Sequence, residues 1–217
     1  MQYLCTYIKE AELKAIAEDV WKQLPEMVLR DVVTEQPPVL STKAKACWSE
    51  THLYIRFWCQ DNYILSKYEH RDDPLYEQDV VEVFIDPTAT GEHYYEFELS
   101  PHNVIFDAAI TIIDKDRAKA AKRGANELPY MTVDKNWDAT NLQTQAFEVE
   151  PELYCYELRL PFTDLNAEVV AGQRWRWNLY RIDDDMKGVR HYSAWAPTGV
   201  VNFHVPSKFG ELVFVKN

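Results

Sequence analysis

The sequence predicts an all-β protein: an antiparallel β-sandwich of two sheets with one short helix near the N-terminus. From residue 52 onward, apolar and polar residues alternate with a period of two, which is typical of strands with one buried face. The strand-like runs are short and follow one another with little helix between them, as in antiparallel sandwiches rather than parallel α/β sheets. The one clear helical period lies earlier, at residues 10–24.

The predicted helix has an apolar stripe and a defined end. Leu13, Ile16, Val20 and Leu24 recur at the spacing of one helix face, and Pro25 ends the segment because proline cannot continue a helix. We expect this helix to belong to an N-terminal arm, residues 1–45, that packs on the sandwich.

The strands that follow are rich in β-branched and aromatic residues, which favour a pleated and half-buried surface. The predicted strands lie at 52–60, 80–86, 94–99, 103–109, 143–149, 153–160, 175–182 and 211–215.

Length and linkers indicate a single domain over residues 1–217, because no low-complexity segment or internal repeat divides the chain. Residues 114–123 interrupt the strand series with a mostly basic, helix-prone stretch. A solvated surface excursion is the default interpretation of that stretch, and a docking patch for an acidic partner is the alternative.

The net charge is 23 − 35 = −12, which argues against nucleic acid or an anionic membrane as partner, since phosphates require a positive surface. Neutral ligands, cations and basic proteins remain as possible partners.

No apolar run is long enough to span a bilayer, and the first 20 residues lack the apolar core of a signal peptide. We therefore expect a cytoplasmic chain, although a secreted chain whose leader had been removed would look the same. The oligomeric state does not follow from the sequence.

Motifs for nucleotide, nucleophilic or zinc chemistry are absent from the sequence. It has no glycine-rich phosphate loop, no nucleophile elbow, no pair of histidines at i, i+4 and no C-x-x-C. We expect no nucleotide and no transition metal to be required for folding. Cys59 and Cys155 lie within strand-like runs and are predicted to be buried free thiols.

A predicted hairpin of strands 80–86 and 94–99 has one unusual face. If Glu82 lies opposite Glu98, then Val81, Val83 and Ile85 face the core. The other face then carries Glu82, Phe84, Asp86, Tyr94, Glu96 and Glu98. Facing carboxylates repel one another. The repulsion is offset either by arginines on an exposed face (Arg56, Arg159 or Arg176), by a cation, or by the hydroxyls of a ligand.

The same segment resembles the family 9 carbohydrate-binding modules, which are β-sandwiches. The similarity extends in one order over about residues 19–215. It comprises Asp19–Trp21, Pro74–Asp86, Tyr94–Phe97, Tyr156–Pro161, Arg176–Leu179, Ser193–Trp195 and Pro206–Leu212.

The resemblance implies a binding site for the end of a saccharide between two aromatic rings. The residue that matches the first ring is Tyr76, just before the hairpin, and the residue that matches the second is Phe203, just before the last strand. Both positions are usually or often tryptophan in the family. Because stacking on a sugar increases with ring area, tyrosine and phenylalanine imply weaker binding than two tryptophans.

Polar groups complete the implied site. Glu82 matches the family's hydrogen-bonding acid, and Glu98 stands where the family has a basic residue. Asn202 and His204 flank Phe203 and offer amide and imidazole hydrogen bonds.

These observations together predict weak, non-catalytic binding of a mono- or oligosaccharide at an aromatic clamp with an acidic floor. No cofactor is required, although the resemblance leaves structural calcium open. Two alternatives remain. The first is a glycoside hydrolase with Glu82 and Glu98 as its carboxylate pair, and the second is a haem-binding sandwich with a histidine, Met131 or Met186 as axial ligand.

Overall fold

The structure, a computed structural model, describes residues 1–9, 18–114 and 130–216. One α-helix, α1, spans Glu18–Gln23, and three short 3-10 turns span Leu75–Glu77, Phe162–Leu165 and Pro206–Lys208. The strands of the described residues are β1 (Gln2–Tyr7), β2 (Met27–Val28), β3 (Arg30–Asp31), β4 (Thr42–Trp48), β5 (His52–Gln60), β6 (Val80–Asp86), β7 (His93–Leu99), β8 (Ile105–Ile112), β9 (Met131–Asp134), β10 (Gln143–Glu150), β11 (Leu153–Pro161), β12 (Arg174–Asp184), β13 (Arg190–Ala194) and β14 (Gly210–Val215).

The strands form one curled sheet in the order β10-β11-β5-β4-β1-β14-β12-β6-β7-β8-β9, and its two halves pack face to face as a sandwich. The predicted all-β sandwich with one short helix is therefore confirmed. The pairing differs from the prediction at one place, because β1 is parallel to both β4 and β14 and makes the sheet mixed. The N-terminal arm thus contributes a strand to the middle of the sheet.

The main core lies between the two halves and draws on residues from Tyr3 to Phe214. Four tryptophans belong to it, namely Trp48, Trp175, Trp177 and Trp195, which are 3%, 0%, 0% and 6% exposed. Tyr3 connects β1 to β4 inside this core, since its hydroxyl donates to Ala46 O at 2.8 Å and accepts from Ala46 N at 2.8 Å.

The described part of the predicted helix, α1, ends before Pro25, as expected. Trp21 packs from it onto Tyr54 and Cys47 in a small separate cluster. The first half of the predicted helix, residues 10–17, lies outside the described residues, and so does most of the basic stretch 114–123.

All four cysteines are buried free thiols, which confirms the prediction for Cys59 and Cys155. Burial raises the pKa of the Cys59 thiol to about 11, so it stays protonated near neutral pH. Nowhere in residues 1–9, 18–114 and 130–216 is there a helix with the length and apolar character that a bilayer crossing needs.

Gly210 allows β14 to pass Trp195 at close range. A Cβ atom at this position would lie 2.4 Å from Cζ3 and 2.8 Å from Cη2 of the Trp195 ring. Replacing Gly210 with alanine must therefore displace a buried indole.

We expect Gly210→Ala to reduce the free energy of unfolding by roughly 1–3 kcal/mol, the usual range for an overpacked core. Chemical denaturation measures the loss. Trp195→Leu removes the obstructing ring, so the double variant should lose less stability than the two single losses added together. Strict additivity would show that the two residues are not in contact.

Candidate functional site

The hairpin of β6 and β7 has the predicted register, with Glu82 opposite Glu98 and Phe84 opposite Glu96. Val81, Val83 and Ile85 lie in the main core, as expected. The opposite face does not meet solvent but lies under a second apolar cluster. That cluster includes Phe84, Tyr94, Phe106, Tyr180, Ile182 and Phe203.

The interpretation of an exposed acidic face is therefore wrong. Glu82, Glu96 and Glu98 are 2%, 5% and 1% exposed, because side chains from the chain segments around residues 75 and 203 pack over the sheet.

The arginines proposed to neutralise this face lie elsewhere. Arg56 forms an ion pair with Glu157, and the guanidinium of Arg159 lies 5.5 Å from the centre of the Tyr54 ring. Arg176 donates to Phe209 O at 2.6 Å. The acids of the hairpin thus need another source of compensation.

A pocket of about 310 Å³ opens above the acidic face. Five of the six predicted site residues line it, namely Tyr76, Glu82, Asn202, Phe203 and His204. The other lining residues are Glu96, Phe106, Met131, Val133, Lys135, Ile182, Tyr192 and Val201. The walls are mostly aromatic or aliphatic, and the few polar groups converge on the floor and one side, as in typical small-molecule sites.

Tyr76 forms an exposed wall of the pocket. It lies on the 3-10 turn before β6, is 40% exposed, and meets the Phe106 ring edge-on at 6.0 Å. Arg190 fixes this turn, because its guanidinium bonds Asp184 of β12 and also donates to the backbone carbonyls of Tyr76 and Glu77. The backbone of the turn that carries the ring is therefore held by hydrogen bonds from Arg190, which is itself paired with Asp184.

Phe203 forms a second wall and is more buried. It is 8% exposed and stacks on Tyr180 with ring centres 4.1 Å apart and an angle of 11° between the planes. The Tyr180 hydroxyl also donates to Phe203 O at 2.9 Å. Phe203 thus serves both the second apolar cluster and the pocket.

Asn202 and His204 are oriented by hydrogen bonds to their neighbours. The Asn202 amide donates to the Tyr130 hydroxyl at 3.0 Å and accepts from His204 N at 3.0 Å. His204 Nδ1 shares a hydrogen bond of 2.8 Å with the Tyr94 hydroxyl, and its Nε2 lies 4.0 Å from Glu96 Oε2. The side of the pocket is thus a preorganised polar wall.

The floor concentrates three carboxyl groups. Glu82, Glu96 and Glu98 each place an oxygen within 4.8 Å of the other two. Burial raises the pKa of Glu82 and Glu98 well above the usual range, and the neighbouring acids raise both further. Burial also raises the pKa of Glu96, to about 7, although Lys135 favours its charged form. At least part of this group is therefore protonated near neutral pH.

Glu96 and Glu98 share the predicted face with Glu82, but the predicted site included Glu98 and not Glu96. Glu98 lies below the pocket and does not line it, whereas Glu96 does. The proposed catalytic pair of Glu82 and Glu98 is thus not presented to a ligand as a pair. Glu96 could have been identified from alternation, because it shares a face with Glu82.

Lys135, just beyond β9, is a pocket residue that the sequence analysis missed. Its ammonium lies 5.1 Å from the centre of the Phe106 ring and 5.6 Å from that of Tyr76. No sequence pattern connects this exposed lysine to the hairpin, since β9 joins the sheet through β8.

Calcium fits the described acidic clusters only in part. In the cluster of Asp72, Asp107 and Asp138, the guanidinium of Arg71 already bonds two of the acids, at 2.6 and 2.8 Å to Asp107 and 3.1 Å to Asp138. The glutamates of the floor offer oxygens of the right kind, but calcium prefers six to eight of them. The structure therefore leaves the calcium expectation as a prediction.

The two methionines considered as haem ligands lie in different surroundings. Met131 lines the pocket, whereas Met186 is 73% exposed.

The acidic floor should make stability depend on pH. Because folding raises the pKa of these acids, their contribution to stability is fully present below about pH 4.3 and is lost as the pH rises; for Glu96 the loss is complete once the pH passes its folded pKa of about 7. We expect Glu98→Gln to raise the Tm near pH 8 and to flatten the fall in Tm between about pH 5 and about pH 8. The Tm of the Glu98→Gln protein should still fall in part over this range, because burial also raises the pKa of Asp79, to about 7.

Differential scanning calorimetry across this range measures the effect, with the exposed Glu69→Gln as control. A Glu98→Gln protein with the same pH profile as the Glu69→Gln protein would show that Glu98 carries no buried proton.

Comparison with known proteins supports the fold and identifies the family. The family model described as carbohydrate family 9 binding domain-like matches residues 14–217. A curated protein from Arthroderma benhamiae, described as an extracellular protein, is 25% identical over an alignment of 213 residues that covers 93% of this chain and 93% of that one.

Solved structures share the fold at low sequence identity. A family 9 carbohydrate-binding module from Caldicellulosiruptor kristjanssonii in complex with glucose has a TM-score of 0.70 at 16% identity, covering 100% of this chain and 97% of that one. The cellotriose complex gives 0.69 at 17% identity, with 100% and 95% covered. A putative carbohydrate-binding protein from Bacteroides uniformis gives 0.71 at 15% identity, with 98% of each chain covered.

The matched family consists of non-catalytic binding domains, in agreement with the expectation that this chain is not an enzyme. The family model covers all the strands from β2 to β14, together with the residues that line the pocket. The chain therefore belongs to the carbohydrate family 9 binding domain-like family.

Proposed function

We propose that the pocket binds the end of a mono- or oligosaccharide without chemical change. Tyr76 and Phe203 supply apolar walls for the C–H faces of a sugar ring, and Glu82 accepts hydrogen bonds from its hydroxyls. Asn202 and His204 offer further hydrogen bonds from the side wall.

One observation carries the proposal: segments far apart in the sequence converge on one pocket. Tyr76 comes from the turn before β6, and Phe203 comes from the loop between β13 and β14. Both line the same space as Glu82. Family membership and the two sugar-bound neighbours, one with glucose and one with cellotriose, support a saccharide as the ligand.

The chemistry of the walls favours weak binding. Phenol and benzyl rings offer less stacking area than two indoles, and an aromatic contact contributes about 0.5–1.5 kcal/mol beyond burial. A hydrogen bond contributes about 0.5–1.5 kcal/mol when both groups are neutral and about 1.5–3 kcal/mol when the acid is charged. With two rings and one acid, Glu82, that accepts from the sugar hydroxyls, we expect a Kd between about 1 mM and 1 µM.

The Tyr76 ring should matter for binding but not for stability. Because it is 40% exposed, Tyr76→Ala should weaken binding of glucose or cellotriose by about tenfold or more, and the Tm should change little. Tyr63→Ala is a matched control, since Tyr63 is 39% exposed and does not line the pocket. Isothermal titration calorimetry and a thermal melt of each variant make the test. Equal sugar affinities of the Tyr76→Ala and Tyr63→Ala proteins would show that Tyr76 is not part of the binding site.

Phe203 requires a gentler substitution, because its stacking on Tyr180 makes Phe203→Ala costly to the fold. Leucine keeps most of the apolar volume but removes the flat ring that a sugar would contact. We expect Phe203→Leu to weaken binding by several-fold, with a modest loss of stability of about 1 kcal/mol.

Phe209→Leu serves as its control, because Phe209 is 4% exposed in the same apolar cluster but does not line the pocket. It should lose stability and retain affinity in the same calorimetric titration. If both leucine variants bind as the native protein does, the ring of Phe203 is a core residue and not a wall of the site. If neither glucose, cellotriose nor any sugar of a broad screen binds the native protein, the proposed function is wrong.

A further inference from the structure

The floor of the pocket has more carboxyl oxygens than its surroundings supply with hydrogen-bond donors. Among the described residues, no arginine bonds Glu82, Glu96 or Glu98, and the nearest ion-pair contact is His204 Nε2, 4.0 Å from Glu96. Glu96 and Glu98 share a hydrogen bond, but within the same part of the chain no donor reaches Glu82 Oε1. Glu82 and Glu96 open into the pocket, so an incoming group can supply what the protein lacks.

From this geometry we infer that the pocket prefers a cationic saccharide, an amino sugar whose ammonium group lies against Glu82 and Glu96. The inference rests on the proposed function and names the class of sugar that the same site takes. An ammonium group has three donors, and Glu82 Oε1 is a buried acceptor at the pocket floor without a partner among the described residues.

Lys135 indicates that the aromatic wall tolerates an ammonium group. Its Nζ atom lies over the Phe106 and Tyr76 rings at 5.1 and 5.6 Å, distances at which the negative ring face attracts a cation. Lys135 is exposed and lies at the end of β9, so a ligand can displace it without disturbing the sheet. The ammonium group of Lys135 thus competes with that of a ligand for the negative faces of these rings.

A metal ion matches the surroundings less well than an organic cation. Calcium takes six to eight oxygen ligands, and only two of the three carboxyl groups line the pocket. The neighbouring hydroxyls already have partners, since Tyr180 donates to Phe203 O and Tyr94 bonds His204. The remaining walls are rings and aliphatic chains, which suit the body of a sugar.

The protonation state of the acids on the floor helps the pocket to distinguish a cationic sugar from a neutral one. Burial keeps part of the acid group neutral, and a bound ammonium favours the ionised form of the same acids. The groups that face the acids are the Tyr94 and Tyr180 hydroxyls, the His204 imidazole and the Lys135 ammonium. A neutral sugar does not favour ionisation of these acids, whereas the ammonium group of an amino sugar does.

The test compares three monosaccharides at low salt, slightly below neutral pH, where an amino sugar is cationic. Calorimetric titrations use glucosamine, glucose and N-acetylglucosamine, which differ in the substituent at C2: an ammonium group, a neutral hydroxyl and a bulkier neutral acetamide. We expect glucosamine to bind about tenfold more tightly than glucose, and N-acetylglucosamine to lose that advantage. Glucosamine binding should also weaken as salt is added, because salt screens the ion pair.

Two variants assign the preference to the floor. Glu96→Gln should lower the ratio of glucosamine affinity to glucose affinity. Lys135→Met should raise this ratio, because it removes the competing ammonium group and keeps an apolar side chain. Glu69→Gln, an exposed site outside the pocket, should leave the ratio unchanged. A thermal melt of each variant establishes that it is folded before its affinity is compared.

The outcomes separate this inference from the proposed function. If glucose binds and glucosamine binds no more tightly, the preference for a cation is wrong and saccharide binding stands. If none of the three sugars binds, both fail. If calcium chloride alone raises the Tm of the native protein but not that of the Glu96→Gln variant, and glucosamine does not bind, the floor is a metal site and the inference is overturned.

Discussion

The register of the β6–β7 hairpin is the constraint on which the pocket depends. Because side chains alternate, a slip of one residue would move Val81, Val83 and Ile85 to the pocket floor and drive Glu82, Glu96 and Glu98 into the main core. Both faces of this hairpin are buried, so neither arrangement is free of cost, but only the observed one keeps the acids at a surface that a ligand can reach. The apolar residues of the inner face fix the position of the acids on the outer one.

Three carboxyl groups beneath an apolar pocket reduce stability wherever they ionise, since burial favours their neutral forms. A protein stabilised for its own sake would have apolar residues at these positions, which would be neutral or better for the fold. The second apolar cluster shows that such packing is available on the same face, because Phe84, Tyr94 and Tyr180 lie beside the acids. Perturbed acids that line a concave pocket are typical of functional sites.

The sequence predicts those features that local alternation determines. Strands β5, β6, β7, β11 and β14 lie within a residue or so of their predicted bounds, and the facing of Glu82 and Glu98 is confirmed. Pairing between distant segments is a different problem. β1 shows no apolar alternation, because the apolar Leu4 is exposed between the buried Tyr3 and Cys5, and its partners lie far along the chain. Which acids reach the pocket depends on where the loop carrying Phe203 packs, and alternation places Glu96 and Glu98 on one face without distinguishing them. Lys135 enters the pocket only because β9 pairs with β8.

The position of β1 also bears on the order in which the chain can fold. Gln2 pairs with Glu211 in parallel, so the central seam of the sheet joins the first strand to the last. During synthesis β1 can pair early with β4, but its other edge stays open until β14 has emerged. Contacts of such sequence separation close slowly because the loop entropy is lost before the strands gain their pairing. The half-formed sheet exposes an unpaired strand edge during that interval, and such edges are the sites at which chains pair with one another instead.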